Sequence, residues 1–296
     1  MTSLPAGAET RLQAPGPQGP LEGSLLPGQP MVLIIPGSGA TDRDGNGPGY
    51  RPETYRLLAE GLAARGIGSL RIDKRGLHGS RAAVPDAEAV TMADYAADIA
   101  AWAGVLRARG ADRLWLAGHS EGGLVALLAA GRLPDLCGLV LLATPGRRIG
   151  LVLREQLDRA LPGPLRAEAE GLLARLEAGQ GLPEAIPPAL LPLFRPSLAG
   201  FLASLFALDP PALAAAVRPP LLVLQGLLDL QVTQADAAAL AAARPDARLV
   251  LLPGVNHVLK AVGEDPADNL AAYADPDRPL APGVVEAIAD FVAPAP

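Results

Sequence analysis

A serine set between glycines is where this chain could do chemistry. Residues 118–122 read Gly-His-Ser-Glu-Gly, the pattern G-x-S-x-G, with Ser120 at the centre. Such a serine can attack a carbonyl if it stands on a sharp turn between a strand and a helix, where glycines let neighbouring backbone come close. The residues before the motif, "LWLA", read as a strand, and those after it, "GGLVALLAA", as a helix. The hydroxyl would then sit at a helix N-terminus, where the dipole favours negative charge. A serine that merely caps the helix is the plain alternative, and the flanking strand and helix favour the nucleophile.

A serine hydroxyl needs a base. The chain has three histidines, His78, His119 and His257. His119 adjoins the serine on a turn that should point it elsewhere, so a packing role is expected. His78 and His257 each follow a strand, and in an open parallel sheet sites form beyond the carboxyl ends of strands. Where the nucleophile stands on a strand-to-helix turn, the chain order is serine, acid, histidine. Only His257 follows Ser120. The acid must orient the imidazole and stabilise its charged form. Asp229 follows "LLVLQGLL" at a strand end, whereas Asp209 and Asp236 fall before or within helices. The expected catalytic set is Ser120, Asp229 and His257.

A second stretch, "GSGATDRDGNGPGYRPE" (residues 37–53), fits two patterns at once. Asp42, Asp44, Asn46, Gly47 and Glu53 match the positions of an EF-hand calcium loop. That motif needs a helix on each side, and here "MVLII" upstream is a strand. Gly49 and Pro52 also fit the loop poorly. The competing reading is a turn whose backbone N–H groups receive a developing oxyanion. The donors would be the N–H groups of Ser38 and Glu121, each worth roughly 100- to 1000-fold in rate. Asp42, Arg43 and Asp44 would then brace the loop, and no metal site is expected.

These residues must be held by regular elements. Ala8–Gln13 and Leu21–Leu26 read as an edge hairpin. Met31–Ile35, Ile67–Ile72, "RLWLAG" and Cys137–Ala143 are apolar strands that alternate with helices over "TYRLLAEGLAARG", Met92–Gly110 and "GGLVALLAAG". Alternation of this kind implies an α/β fold with a parallel sheet covered on both faces. From Gly146 to about Val217 no good strand appears, only leucine-rich helical faces divided by prolines. Alternation resumes with Pro220–Gly226, "QADAAALAAA", Arg248–Gly254 and "GVVEAIADFV". The expected domains are a core of residues 1–145 and 218–296 and a helical cap of residues 146–217. Arg147, Arg148, Arg154 and Arg159 in that insertion could be an anion site, but a solvated helix face is the expected reading.

Bulk properties narrow the partners. The chain has 296 residues, half of them hydrophobic, a net charge of −6 and 3 % aromatics. Neither a polyanionic partner nor a base-stacking platform fits that balance. Cys137 is the only cysteine, which excludes an internal disulfide and a cysteine-based zinc site. The first residues lack a basic start followed by an apolar core, and the longest apolar runs, such as Leu136–Ala143, have strand length. The expectation is a soluble cytoplasmic protein with no nucleic acid and no membrane partner.

Taken together, "PGSGATDRDG", "RIDKRG", "GHSEGG", "LQGLLDLQV" and "NHVLK" resemble the α/β-hydrolase superfamily over almost the whole chain after residue 20. More narrowly, they are similar to the bacterial serine-aminopeptidase-like and carboxylesterase group. The resemblance implies an eight-stranded, mostly parallel sheet with helices on both faces, an inserted cap and a Ser120–Asp229–His257 triad. It implies no metal and no organic cofactor. One departure is visible in "DKRGLHGS", where the group's loop has D-x-R-G-x-G-x-S. His78 replaces the second glycine, and a positive φ there would strain it. His78 could then face the pocket, while Asp73 and Arg75 read as structural.

The implied activity is hydrolysis of a small-molecule ester of a small or medium acyl group. Thioesters, lactones, N-terminal amides and acyl transfer to another alcohol use the same triad and stay open. A binding protein on this fold is a further reading, against which three competent triad residues argue. Fold alone does not fix chemistry, and oligomeric state is left open.

Overall fold

The computed structural model describes residues 8–294. Eight strands form one sheet: β1 (Thr10–Pro15), β2 (Pro20–Leu26), β3 (Met31–Ile35), β4 (Gly68–Ile72), β5 (Leu114–His119), β6 (Gly138–Leu142), β7 (Leu221–Gly226) and β8 (Arg248–Leu252). Their spatial order is β1-β2-β4-β3-β5-β6-β7-β8. The β1–β2 and β2–β4 pairs are antiparallel, and every other pair is parallel. The expected edge hairpin is therefore present, with β1 starting two residues later than the sequence pattern placed it.

Continuous apolar runs make the central strands because both faces are covered. All five residues of β3 are buried. Successive side chains point to opposite faces, so Leu33 and Ile35 enter one core while Val32 and Ile34 enter the other. The first core packs under α2 (Met92–Ala108), α3 (Glu121–Ala130) and α9 (Gln234–Ala243). The second packs under α1 (Thr54–Ala63) and α11 (Val284–Val292). Two of these helices begin at a threonine paired with an aspartate three residues on. Thr91 and Asp94 start α2 and satisfy two otherwise orphaned N–H groups, and at α9 the Asp236 carboxylate accepts from the N–H of Thr233. A short helix, α10 (Pro266–Ala271), lies between β8 and α11 and had no periodic signal in the sequence.

Between β6 and β7 the chain folds only as helices: α4 (Ile149–Ala160), α5 (Gly163–Glu177), α6 (Leu191–Phe194), α7 (Ala199–Phe206) and α8 (Pro210–Ala216). Helices α4 to α7 share a core of their own that includes Leu172, Leu173, Phe194 and Leu202, while α8 packs on the first core of the sheet. Within it Pro188–Phe206 is long and apolar enough to cross a membrane by length and composition, with a mean hydropathy of 1.5. This corrects the reading that no apolar run approaches that length. Arg195 and three prolines, Pro188, Pro192 and Pro196, mask it in the sequence, and Arg195, in extended conformation, breaks the segment into short pieces. Three of the four arginines singled out in the sequence are paired, while Arg159 is exposed with no ion pair among the described residues. Arg147 holds Asp236 at 2.9 Å and Glu155 at 2.6 Å, Arg148 holds Asp209 at 2.8 Å, and Arg154 holds Glu170 and Glu177 at 2.8 and 2.6 Å.

Strand order places the chemistry. Because β3 lies beside β5, the loop from Gly37 comes next to the Ser120 turn. Because β7 lies beside β8, the residues that follow them, Asp229 and His257, meet.

Candidate active site

Ser120 stands between β5 and α3 with φ 54° and ψ −124°, outside the regions a side chain ordinarily occupies. Its N–H donates to Leu142 O at 2.8 Å, which fixes the turn to β6. The flanking glycines are required by contact. A Cβ on Gly118 would lie 2.2 Å from Gly122 O, and one on Gly122 would lie 2.3 Å from Ile35 O. The strain at Ser120 is thus held by the close packing of β3, β5 and α3.

Asp229 and His257 meet as the chain order predicts. His257 Nδ1 donates to Asp229 Oδ2 at 2.7 Å, and both side chains are buried. The donated proton sits on Nδ1, which leaves Nε2 as a base. Asp229 is fixed from its other side, for Oδ1 accepts from the N–H groups of Gln231 and Val232 at 2.7 and 2.9 Å. Gln225 Nε2 donates to Oδ2 at 3.2 Å. Burial raises the carboxyl's pKa, but the neighbouring imidazole and these N–H groups outweigh it and hold the pKa below the ordinary value. Asp209 and Asp236 do other work. Asp209 caps α8, and Asp236 caps α9 and anchors Arg147. Ser120 and His257 line one cavity, and no hydrogen bond joins the Ser120 hydroxyl to the imidazole in this structure.

His119 does more than pack. Gly37 N–H donates to Tyr55 Oη at 2.9 Å, and Tyr55 Oη–H donates to His119 Nδ1 at 2.8 Å. His119 Nε2–H then donates to His257 O at 2.8 Å. This buried chain links the Gly37 loop to the backbone of His257. Burial, with the nearby His257, pushes the His119 imidazole down to about 3 from an ordinary 6.5. Below pH 6.5 the unfolded chain takes up that proton first, so stability is full above that pH and falls as pH drops towards 3. The loss reaches at most about 1.4 kcal/mol per pH unit. His119→Gln should flatten this slope in urea unfolding measured between pH 7 and pH 4.5; parallel curves for variant and wild type would show that His119 is not the linked group.

Ser38 and Glu121, the two residues whose amides the sequence assigned to an oxyanion, both line the cavity that contains Ser120. Glu121 is the first residue of α3, whose leading N–H groups have no intrahelical partner. Ser38 follows Gly37 in the same cavity wall. Neither amide donates to a described residue, while Gly37 N–H is used by Tyr55.

Among the described residues no cluster of three or more His, Cys, Asp or Glu is arranged to hold an ion, and the carboxylates of the acidic loop are engaged within the protein. Asp42 Oδ1 accepts from the N–H groups of Asp44 and Asn46 at 2.9 and 2.8 Å. Asp44 pairs with buried Arg71, and Glu53 pairs with Arg51 and Arg56. Arg43 clamps Asp73 through its N–H and guanidinium, tying this loop to the end of β4. Asp42→Ala should cost about 1–2 kcal/mol of stability and leave turnover within a few-fold of wild type. Thermal unfolding with calcium and with a chelator should coincide, and a calcium-dependent shift would restore the metal reading.

His78 does adopt positive φ, at 44°. Its ring does not reach the cavity; it is exposed, with Nε2 donating to Ala40 O at 2.9 Å. Arg75 is held by Asp94 and Asp98. Sequence reading missed Tyr55, Gln225 and Lys74 as parts of the site. Their only signal was a polar residue in an apolar strand, just after one or at a helix start.

The cavity has a volume of about 880 Å³. Ile149, Val152, Leu153, Phe201, Leu202 and Leu205 from the helical segment form much of its apolar wall. Ser38, Thr41, Tyr50, Gln231 and Tyr273 give it a polar side.

A family model described as "Alpha/beta hydrolase family" matches residues 32–273. No curated protein matches the sequence. Among solved structures the chain is similar to Est1E from Butyrivibrio proteoclasticus, at 18 % identity and a TM-score of 0.60, over 96 % of this chain and 99 % of that one. It is similar to a thermophilic esterase from Thermogutta terrifontis, at 20 % identity and a TM-score of 0.57, over 97 % and 98 % of the two chains. It is also similar to a proline iminopeptidase from Mycobacterium smegmatis, at 18 % identity and a TM-score of 0.56, over 84 % and 92 %.

Proposed function

Because the chain belongs to the alpha/beta hydrolase family, we propose that it is a serine hydrolase that cleaves carboxylic esters of small or medium acyl groups. The observation that carries this is the Asp229–His257 hydrogen bond at a cavity that also contains Ser120 on its strained turn. His257 Nε2 takes the proton of Ser120 as its oxygen attacks the ester carbonyl. The Ser38 and Glu121 amides receive the charge that develops on the carbonyl oxygen. His257 then protonates the departing alcohol, leaving an acyl group on Ser120. Water enters, loses a proton to His257 and releases the acid by the same steps.

The substrate assignment rests on the wall of the cavity. The helical segment acts as a cap, and its apolar side chains suit an acyl chain. The polar side suits the alcohol portion. Of the similar proteins, one is named as an esterase and one as a proline iminopeptidase. The same triad would serve a thioester, acyl transfer to an alcohol or an N-terminal amide.

A panel of p-nitrophenyl esters from acetate to decanoate tests the proposal, beside a thioester and an aminoacyl p-nitroanilide. The highest kcat/KM is expected on an ester of short or medium chain. A higher value for the thioester or the anilide, or no turnover of any ester, would overturn the assignment.

A further inference from the structure

Lys74 follows β4 and is almost wholly buried, yet the triad makes no use of it. Its ammonium donates to Gly37 O at 2.6 Å. It lies 3.5 Å from Glu121 Oε1 and 5.4 Å from the centre of the Tyr95 ring. The Glu121 contact is Coulombic, since that oxygen has no hydrogen-bond partner among the described residues. A buried charge of this kind is costly unless it is paired and bonded. Its partners here are the two arms of the oxyanion site.

Gly37 C=O and Ser38 N–H belong to one planar peptide, so holding the oxygen sets the direction of the N–H. Resting on the ester-hydrolysis reading, we propose that Lys74 is a positioning residue for the oxyanion hole, which orients and polarises the Gly37–Ser38 peptide. Gly37 is held through both of its peptides, the preceding Pro36–Gly37 unit by Tyr55 and the Gly37–Ser38 unit by Lys74. Tyr55 Oη accepts from Gly37 N–H, and Lys74 Nζ donates to Gly37 O. A charge-assisted bond to the oxygen also strengthens the N–H as a donor, because hydrogen bonds in series polarise one another. The second donor, Glu121 N–H, belongs to the residue whose side chain faces the same ammonium. Lys74 thus ties the β3 loop to the start of α3. Burial lowers its pKa and Glu121 opposes that shift.

The test compares wild type with Lys74→Met and with Lys74→Met/Glu121→Gln. The double variant avoids leaving a buried carboxylate without its partner. Three quantities are measured on an ester that wild type hydrolyses: kcat, KM, and affinity for two inhibitors of matching shape. One inhibitor is an alkyl boronic acid, whose adduct with Ser120 puts an oxygen in the oxyanion hole. The other is the corresponding alkyl ether, which fills the cavity without reacting. Lys74 removal should lower kcat roughly tenfold to a hundredfold, with KM changed less than about threefold. Boronate affinity should fall in parallel with kcat/KM, and ether affinity should hold. Equal loss for boronate and ether would mean a merely structural role and would overturn the proposal. So would a folded variant with kcat and boronate affinity within twofold of wild type. A wild type that neither turns over esters nor binds the boronate would instead overturn the ester-hydrolysis reading, and the proposal with it.

Discussion

Ser120→Ala should lower kcat for ester hydrolysis by about a millionfold, since removing the nucleophile costs about as much as removing the whole triad. Substrate affinity should change little, because the cavity wall is untouched. Folding should also persist. Alanine feels the same backbone strain at φ 54° and ψ −124° that serine does, so stability should shift by less than about 0.5 kcal/mol. Ser120→Gly makes the contrast. It should be equally inactive but more stable by about 1 kcal/mol, because glycine relieves the strain. Urea unfolding of the two variants beside wild type separates catalytic loss from misfolding. A Ser120→Ala protein with near-normal kcat would remove this serine from the mechanism.

Asp229→Asn should lower kcat about ten-thousandfold with little loss of fold. The hydrogen bonds dictate how the amide sits. The Gln231 and Val232 N–H groups both donate to Oδ1, so the asparagine carbonyl oxygen must stay there. Its NH2 group then takes the place of Oδ2 and faces His257 Nδ1 and the Gln225 amide nitrogen. Two donors cannot satisfy each other. Gln225 cannot turn over without cost, because its nitrogen also donates to Gly226 O and Val232 O. His257 must therefore accept at Nδ1, which moves its proton to Nε2 and removes the base that Ser120 needs. The loss should appear in kcat, with KM near wild type. Comparable turnover by the variant would mean that Asp229 does not set the tautomer of His257.

The parts of the site that the sequence displayed are those with local signatures. Ser120 stands in a five-residue motif between a strand and a helix. His257 and Asp229 follow from chain order and from strand ends. The strands themselves were readable because burial on both faces leaves unbroken apolar runs, as in β3. The supporting partners carried no such mark. Tyr55 and His119 lie 64 residues apart, and Lys74 and Gly37 lie 37 apart. These pairs meet only because β4 and β5 flank β3. The acidic loop shows the opposite failure. Its residue types matched a calcium site, but each carboxylate is taken by a backbone N–H or an arginine. The glycine position held by His78 was a correct signal of positive φ, but the direction of its ring was not encoded locally. Arg147 of the helical segment also finds a partner that the sequence leaves distant, Asp236.

The central claim is an acyl group carried on Ser120. Wild-type protein mixed with a p-nitrophenyl ester and quenched in acid during turnover can be weighed intact and then digested. The account predicts a protein heavier by one acyl group, with the added mass on the peptide containing Ser120, and no such species in Ser120→Ala. Turnover without a covalent species in wild type, or the same acyl mass on another residue in both proteins, would contradict it.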